Sequence, residues 1–183
     1  MNTRRLCLLA AALVTSAPPI LAASSPGPFD AKAREIFSRT IAMQTTPRGR
    51  EVPKMAEYLA GELRAGGFAA ADIQILPLRD SASLVVRYRG NGRGGKPILL
   101  LSHMDVVDAR REDWKRDPFT LIEENGYFFG RGTADVKSGV ASLVTTFLRL
   151  RAEGFVPSRD LILYFSVDEV PVIACGVQRR EHR

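Results

Sequence analysis

The feature that most constrains the fold of this chain is an apolar run that ends in a histidine and an aspartate. Residues 98–108 read ILLLSHMDVVD, so four aliphatic residues lead directly to His103 and Asp105. Glycine and proline stand just before the run, and an apolar run bounded by turn residues is typical of a fully buried strand. We therefore expect this run to form a central strand of a sheet.

His103 and Asp105 are two positions apart, so their side chains point to the same side of an extended strand. Asp105 can then contact the far ring nitrogen of His103 and leave the other nitrogen facing a cleft. This arrangement fixes the tautomer of an imidazole that binds a metal ion. A buried histidine that is merely satisfied by a neighbouring carboxylate explains the pair equally well at this point.

Length and composition indicate an ordinary globular protein. The 183 residues, of which 45% are hydrophobic and 25% charged, suffice for one domain with a hydrophobic core. The formal net charge is +6, but much of the excess lies at the two ends, in Arg4, Arg5 and residues 179–183. No basic stripe interleaved with aromatic residues is visible in the sequence, so we expect no nucleic-acid binding.

Residues 1–23 have the pattern of an export signal. Two arginines precede an apolar segment at residues 6–14, and small residues at 20–23 form a cleavage site. The apolar segment is shorter than the roughly 20 residues that span a bilayer. Cys7 lies inside this segment and leaves with it, so we expect no stable membrane anchor and one remaining cysteine, Cys175. The pattern predicts a periplasmic or secreted protein.

Helical and strand-like patterns alternate along the rest of the chain. After a linker at residues 24–29, apolar spacing predicts one helix with Asp30 as its N-cap and a second from about Glu51. The glycine-rich stretch 90–95 lacks the ending of a phosphate-binding loop and is predicted to be a hairpin turn. The remaining predicted elements are strands at 73–78, 84–88, 119–122, 127–129 and 161–166 and a helix at 136–153.

The order strand, helix, strand predicts a crossover unit, whose two strands lie parallel. Residues that follow such strands meet at one edge of the sheet, where open α/β sheets bind ligands. We expect His103, Asp135 and Glu169 to converge there. Taken singly, Asp135 is also explained as a helix N-cap, and Asp168 with Glu169 as a solvated loop pair.

Four motifs in their order and spacing resemble those of a known family. They are Ser102–Val107 (SHMDVV), the segment 114–119, residues 130–139 (GRGTADVKSG) and Val167–Glu169 (VDE). Together they look like the co-catalytic zinc metallopeptidases that include aminoacylase, glutamate carboxypeptidase, carnosinase-like dipeptidases and succinyl-diaminopimelate desuccinylase. The resemblance implies an α/β fold with a mixed, largely parallel sheet flanked by helices. It assigns residues 30–169 to the N-terminal part of a zinc-exopeptidase-like catalytic domain.

The resemblance also implies roles for individual residues. His103 resembles the family's first metal ligand, Asp105 the residue that orients this histidine, and Asp135 the carboxylate that bridges two zinc ions. Glu169 resembles the general base. The implied reaction is hydrolysis of a peptide or an N-acyl amino acid by a water molecule that two metal ions activate. The oligomeric state stays open.

The sequence departs from the family pattern near its end. Val170 stands where the family has a second glutamate that binds metal, and an isopropyl group cannot coordinate zinc. The only other histidine is His182, and residues 170–183 do not resemble the family's continuation. We therefore expect a truncated catalytic domain, ended by a frameshift or an early stop, with little activity by itself. The alternatives are a non-enzymatic remnant and half of an enzyme that another chain completes; an unpaired sheet edge also predicts poor solubility.

Overall fold

The computed structural model describes residues 27–167, which form three α-helices, a four-stranded sheet and a two-stranded hairpin. The predicted export signal and the tail, with Asp168, Glu169 and Val170, lie outside these residues. Within them, no helix is long and apolar enough to cross a membrane. The helices are α1 (Pro28–Ala42), α2 (Val52–Ala65) and α3 (Lys137–Ala152), and the strands are β1 (Ile73–Leu78), β2 (Ser81–Tyr88), β3 (Ile98–His103), β4 (Ile122–Glu124), β5 (Tyr127–Phe129) and β6 (Leu161–Ser166).

The larger sheet has the strand order β1-β2-β6-β3. A two-residue turn joins β1 to β2 and gives an antiparallel pair, whereas α3 lies in the connection from β3 to β6 and these two strands are parallel. The pair β2–β6 is antiparallel. The expected mixed sheet flanked by helices is confirmed. Among the described strands it is not largely parallel, because one pairing is parallel and two are antiparallel.

The glycine-rich stretch 90–95 is not a hairpin turn, because β6 lies between β2 and β3. The stretch instead crosses the end of the sheet and packs on the segment before β6. Its backbone N–H groups donate to that segment, from Gly90 to Asp160 Oδ1 at 2.8 Å and from Gly94 to the Ser158 carbonyl at 2.7 Å. A side chain on Gly90 would collide with the main chain of Arg159, which explains why glycine stands there.

All three helices contribute to one hydrophobic core on one face of the sheet. Helix α2 packs on β1 and β2, α3 packs on β3, and α1 packs on α3. The sheet side chains of this core lie opposite one another in register, as Val86 does to Leu163 and Leu84 to Phe165. We call this side of the sheet the covered face. Its fully buried residues include Leu84, Val86, Leu163 and Phe165.

Strand β3 is an edge strand, and the prediction of a fully buried central strand is wrong for residues 27–167. Its only described partner is β6. Leu99 and Leu101 are 61% and 63% exposed on the side opposite the core, which we call the open face. Leu76 and Leu78 of β1 are also exposed. An apolar sequence indicates that a strand can be buried. It does not show which other segments of the chain pack on that strand.

Two local predictions differ from the structure in their details. Asp30 is the third residue of α1 and not its N-cap; Gly27 takes the cap position and donates its N–H to the Asp30 carboxylate at 2.7 Å. The hairpin β4–β5 forms around Asn125 and Gly126, both with positive φ, as predicted, although β4 begins at Ile122. An acidic side chain in the first turn stabilises a helix whether or not it is the cap.

Candidate metal centre

Two of the predicted metal ligands meet at the carboxyl edge of the sheet. His103 is the last residue of β3 and lies in register with Ser166, the last residue of β6. Asp135 stands two residues before the first residue of α3. The Nε2 atom of His103 lies 3.1 Å from Oδ1 of Asp135. The crossover between β3 and β6 therefore brings these two side chains together, as the topology predicts.

The other ring nitrogen of His103 contacts Asp105. Nδ1 lies 3.0 Å from the main-chain carbonyl oxygen of Asp105 and 3.7 Å from its carboxylate oxygen Oδ1. A carbonyl oxygen only accepts hydrogen bonds, so Nδ1 carries a proton that it donates to this oxygen. In the neutral ring, Nε2 then has the lone pair, on the side of Asp135. Asp105 thus orients the ring through its backbone as well as its side chain.

The Asp105 carboxylate is buried beside the ring. Asp105 is 7% exposed, and its Oδ1 has no hydrogen-bond partner within residues 27–167. The buried hydroxyl of Thr45 also has none there, and both residues line a cavity of about 240 Å³. A buried carboxylate close to an imidazole favours a cation at the opposite ring nitrogen. The electrostatics of this pair therefore suit a metal ligand.

Asp135 does not cap α3. Val136 takes the N-cap position, and no side chain caps this helix end. The Asp135 side chain is 86% exposed and contacts His103. The peptide bond between Asp135 and Val136 is cis. Asp135 therefore differs from a capping aspartate, because it stands before the N-cap and contacts His103. Its carboxylate is accessible at the edge of the sheet.

A second loop packs on the segment that carries Asp135. The N–H of Arg131 donates to the carbonyl of Pro118 at 2.6 Å, and its guanidinium lies over the Trp114 ring, 5.1 Å from the centroid. A guanidinium over an indole ring is a favourable cation–π contact. The two motifs at 114–119 and 130–139 thus form one structural unit beside the candidate site.

The donors are of the kind that zinc takes, but they are too few by themselves. Imidazole nitrogen and carboxylate oxygen are both zinc ligands, and their 3.1 Å separation is close to the roughly 3.3 Å between two donors on a tetrahedral zinc ion. A zinc site needs three or four protein ligands. Within residues 27–167 no group of three or more His, Cys, Asp or Glu could hold a metal ion. Glu169 lies outside these residues, so its convergence on the site stays a prediction.

Lys137 is a residue that sequence reasoning gave no role. It is fully buried, and its Nζ donates to the carbonyls of Thr40 at 2.8 Å and Met43 at 2.7 Å. Burial lowers the pKa of this lysine to about 7, an effect that the charge of Glu51 opposes. Its spacing in the sequence could have predicted its burial. Lys137 stands three, four and seven residues before buried residues of α3 and therefore lies on the buried side of this helix.

Comparison with solved structures identifies proteins of similar fold. The fold matches a di-peptidase of Saccharomyces cerevisiae with a TM-score of 0.65 and 21% identity, over 77% of this chain and 33% of that chain. It matches human carnosine dipeptidase 1 with a TM-score of 0.62 and 22% identity, over 75% of this chain and 32% of that chain. Residues 27–167 therefore share their fold with part of these two dipeptidase structures.

Sequence comparison then shows similarity to one family. Residues 99–170 match the model of Peptidase family M20/M25/M40, so the resemblance seen in the motifs is confirmed. A probable succinyl-diaminopimelate desuccinylase of Staphylococcus aureus is 40% identical over 98 residues, which are 52% of this chain and 24% of that protein. A deformylase of Bacillus subtilis that acts on N-formyl-4-amino-5-aminomethyl-2-methylpyrimidine is 30% identical over 138 residues, 74% of this chain and 32% of that protein. The chain spans about a quarter to a third of the length of these curated relatives.

Proposed function

We propose that this chain carries the N-terminal part of a zinc-dependent hydrolase that cleaves amide bonds. The observation that carries the proposal is the contact between His103 and Asp135 at the carboxyl edge of the sheet, inside a segment that matches a peptidase family. In such a site zinc supplies Lewis acidity toward an amide carbonyl and a water molecule of lowered pKa. The protein supplies the ligands, their orientation and the proton transfers.

Each site residue has a separate role in this proposal. His103 binds metal through Nε2, and Asp105 holds the ring in the tautomer that leaves this lone pair available. Asp135, which is exposed and does not cap α3, would supply a carboxylate ligand to the metal centre. Glu169 takes the proton of the attacking water and returns it to the leaving amine. The two-metal arrangement and the role of Glu169 come from the family resemblance.

The proposed substrates are peptides or N-acyl amino acids. The relatives include a desuccinylase and a deformylase, whose names describe removal of an acyl group, and the fold is shared with dipeptidases. These reactions have one chemical step in common, the attack of water on an amide carbonyl. We propose the same step here, with the individual substrate left open.

We further propose that these 183 residues have little activity by themselves. The described residues supply two ligands, and Val170 replaces a carboxylate that the family uses for metal binding. A second polypeptide that supplies the missing ligands is the second candidate, favoured by the exposed leucines 99 and 101 of the open face. A non-enzymatic remnant is the third. Dipeptide hydrolysis assayed with and without a co-expressed C-terminal segment of a relative separates them.

The direct test is zinc binding by the full chain, measured by calorimetry and by elemental analysis after dialysis. We expect weak binding that His103→Ala and Asp135→Asn each reduce at least tenfold, because they remove the two described ligands. Asp108→Asn is the matched control, since Asp108 is an exposed aspartate that pairs with Arg48. Binding that survives both ligand substitutions would contradict the site. Rapid dipeptide hydrolysis by the chain alone would contradict the proposed low activity.

Export is also a proposal. It rests on the charged and apolar pattern of residues 1–23. Fusion of this segment to a reporter that is active only in the periplasm tests it, with Leu9→Arg as the variant that breaks the apolar segment. We expect reporter activity with the natural segment and its loss with the variant. Equal cytoplasmic retention of both fusions would overturn the proposal.

A further inference from the structure

Lys137 is among the largest of the fully buried side chains and has no carboxylate within hydrogen-bonding distance among the described residues. Its ammonium lies at the carboxyl end of α1, where it donates to the carbonyls of Thr40 and Met43. A cation at this end of a helix interacts favourably with the helix dipole. Burial of an ammonium group is nevertheless costly, and an apolar side chain of similar size often serves stability as well or better.

The two carbonyls do not depend on Lys137 for a hydrogen bond. The Thr40 carbonyl also accepts from the N–H of Met43 at 3.3 Å, and the Met43 carbonyl accepts from the N–H of Thr45 at 2.9 Å. Removal of the ammonium would therefore leave no carbonyl of this pair without a donor. The contacts of Lys137 fix positions in the structure, and they are not needed to satisfy buried polar groups.

What Lys137 fixes is the segment that carries Asp135. The N–H of Lys137 donates to the Gly132 carbonyl at 2.9 Å, which closes the segment 132–137 into a loop. A side chain on Gly132 would lie 3.0 Å from Cδ of Lys137 and 2.9 Å from a methyl group of Val106, so the lysine stem and Val106 both lie close to Gly132. Asp135 stands within this loop.

The same contacts reach the segment after β3. The N–H of Val106 donates to the Thr45 carbonyl at 3.0 Å, so the segment after α1 is held to the residues that follow His103 and Asp105. The ammonium of Lys137 is held to the carbonyls of Thr40 and Met43, which are five and two residues before Thr45. The end of α1 is thus a common support for the two segments that carry His103 and Asp135.

We propose that Lys137 is a positioning residue, which holds the loop of Asp135 against the end of α1 so that Asp135 meets His103. This inference rests on the proposed metal centre for its functional meaning. On this proposal the buried lysine destabilises the fold but fixes the geometry of the site. Without the ammonium the fold persists, but the loop is no longer held at the distance that pairs Asp135 with His103. Residues that orient ligands in this way typically change metal affinity by about 10–100-fold when they are removed.

The test replaces Lys137 with methionine, which has a similar length and no charge. We expect Lys137→Met to fold with a melting temperature equal to or above that of the natural chain, because the desolvated charge is gone. We expect zinc affinity to fall at least tenfold and amide hydrogen exchange in residues 130–137 to become faster, with exchange in α2 and β2 unchanged. Lys96→Met is the matched control, since Lys96 is an exposed lysine of the stretch before β3; it should change none of these quantities.

Each outcome decides the inference. A lower melting temperature with unchanged zinc affinity and unchanged exchange at 130–137 would show a merely structural lysine and overturn the proposal. If the natural chain binds no zinc, the proposed metal centre fails, and the exchange measurement alone decides whether Lys137 holds the loop. If Lys137→Met does not fold, Lys137→Gln, which keeps a donor, is measured in the same way. Failure of both variants to fold would also overturn the proposal.

Discussion

The two faces of the four-stranded sheet carry similar side chains in different surroundings. On the covered face, Leu163 and Phe165 of β6 have no exposed surface and pack under the helices. On the open face, Leu99 and Leu101 of the neighbouring strand are more than half exposed. A sheet that is apolar on both faces is typical of a fold with layers on both sides. The strands thus indicate a second layer, which residues 27–167 do not supply.

Helices pack on the covered face, whereas the open face carries polar contacts between strands. The guanidinium of Arg87 on β2 donates to Asp160, just before β6, at 2.7 Å. The hydroxyls of Ser83 and Tyr164 lie 3.3 Å apart between the same two strands. The ion pair of Arg87 and Asp160 is partly exposed to water, so we expect the open face to contribute less to stability than the covered face.

The largest expected effect is on the covered face. Leu163→Ala should lower the free energy of unfolding by about 2–5 kcal/mol, because it leaves a cavity under the helices. Leu101→Ala makes the same chemical change on the other face and should alter the free energy by no more than about 0.5 kcal/mol. Urea unfolding followed by circular dichroism measures both. Equal losses for the two variants would mean that the open face is buried in solution.

A smaller effect is expected at Asp160, and it depends on pH. The Gly90 N–H, and then Arg87, hold the pKa of Asp160 below its ordinary value. A carboxylate with a lowered pKa in the folded state stabilises the protein above its unfolded pKa of about 3.9 and loses this contribution as the pH falls through the folded value. Asp160→Asn should therefore lower the melting temperature at pH 7, with a smaller difference at pH 3.

Thermal melts of both proteins between pH 2 and pH 7 measure this dependence. Asp80→Asn serves as the control, because Asp80 is an exposed aspartate whose ion pair with Arg50 is solvated and contributes little. A melting-temperature difference for Asp160→Asn that is the same at all pH values would show that the lost charge is not the cause.

The smallest effect on stability is expected from the open face itself. The double variant Leu99→Ser, Leu101→Ser should change the free energy of unfolding little, since both side chains are already in water. It should instead reduce self-association, because an exposed apolar edge strand promotes pairing between chains. Sedimentation velocity over a range of concentrations checks this. If the double variant associates as strongly as the natural chain, another surface mediates self-association.

Local patterns predicted most elements of the fold and the meeting of two site residues. Both N-terminal helices and the hairpin at Asn125–Gly126 follow from spacing and turn residues, which are properties of neighbouring positions. His103 and Asp135 follow from the rule that crossover connections bring strand ends to one edge. These predictions needed no knowledge of distant contacts.

The predictions that failed depended on distant partners. The apolar run at 98–103 predicts a buried strand. Whether this strand is central or at an edge depends on which other strands pair with it. The stretch 90–95 reads as a hairpin turn because nothing local shows that β6, about 70 residues later, will separate β2 from β3. The burial of Lys137 agrees with its spacing in α3, but its partners are distant in the sequence, because the carbonyls that accept from its ammonium lie at the end of α1.

The position of β6 has a consequence for synthesis of the chain. β6 joins the β1–β2 pair to β3, so a nascent chain that ends before Leu161 has these strands without the one that unites them. About 60 residues separate the completion of β3 from that of β6, which at about 5–20 residues per second is an interval of several seconds. During this interval β3 lacks β6, its partner among the described strands, and the core is unfinished. We expect this stage to be when the emerging chain has most need of a chaperone.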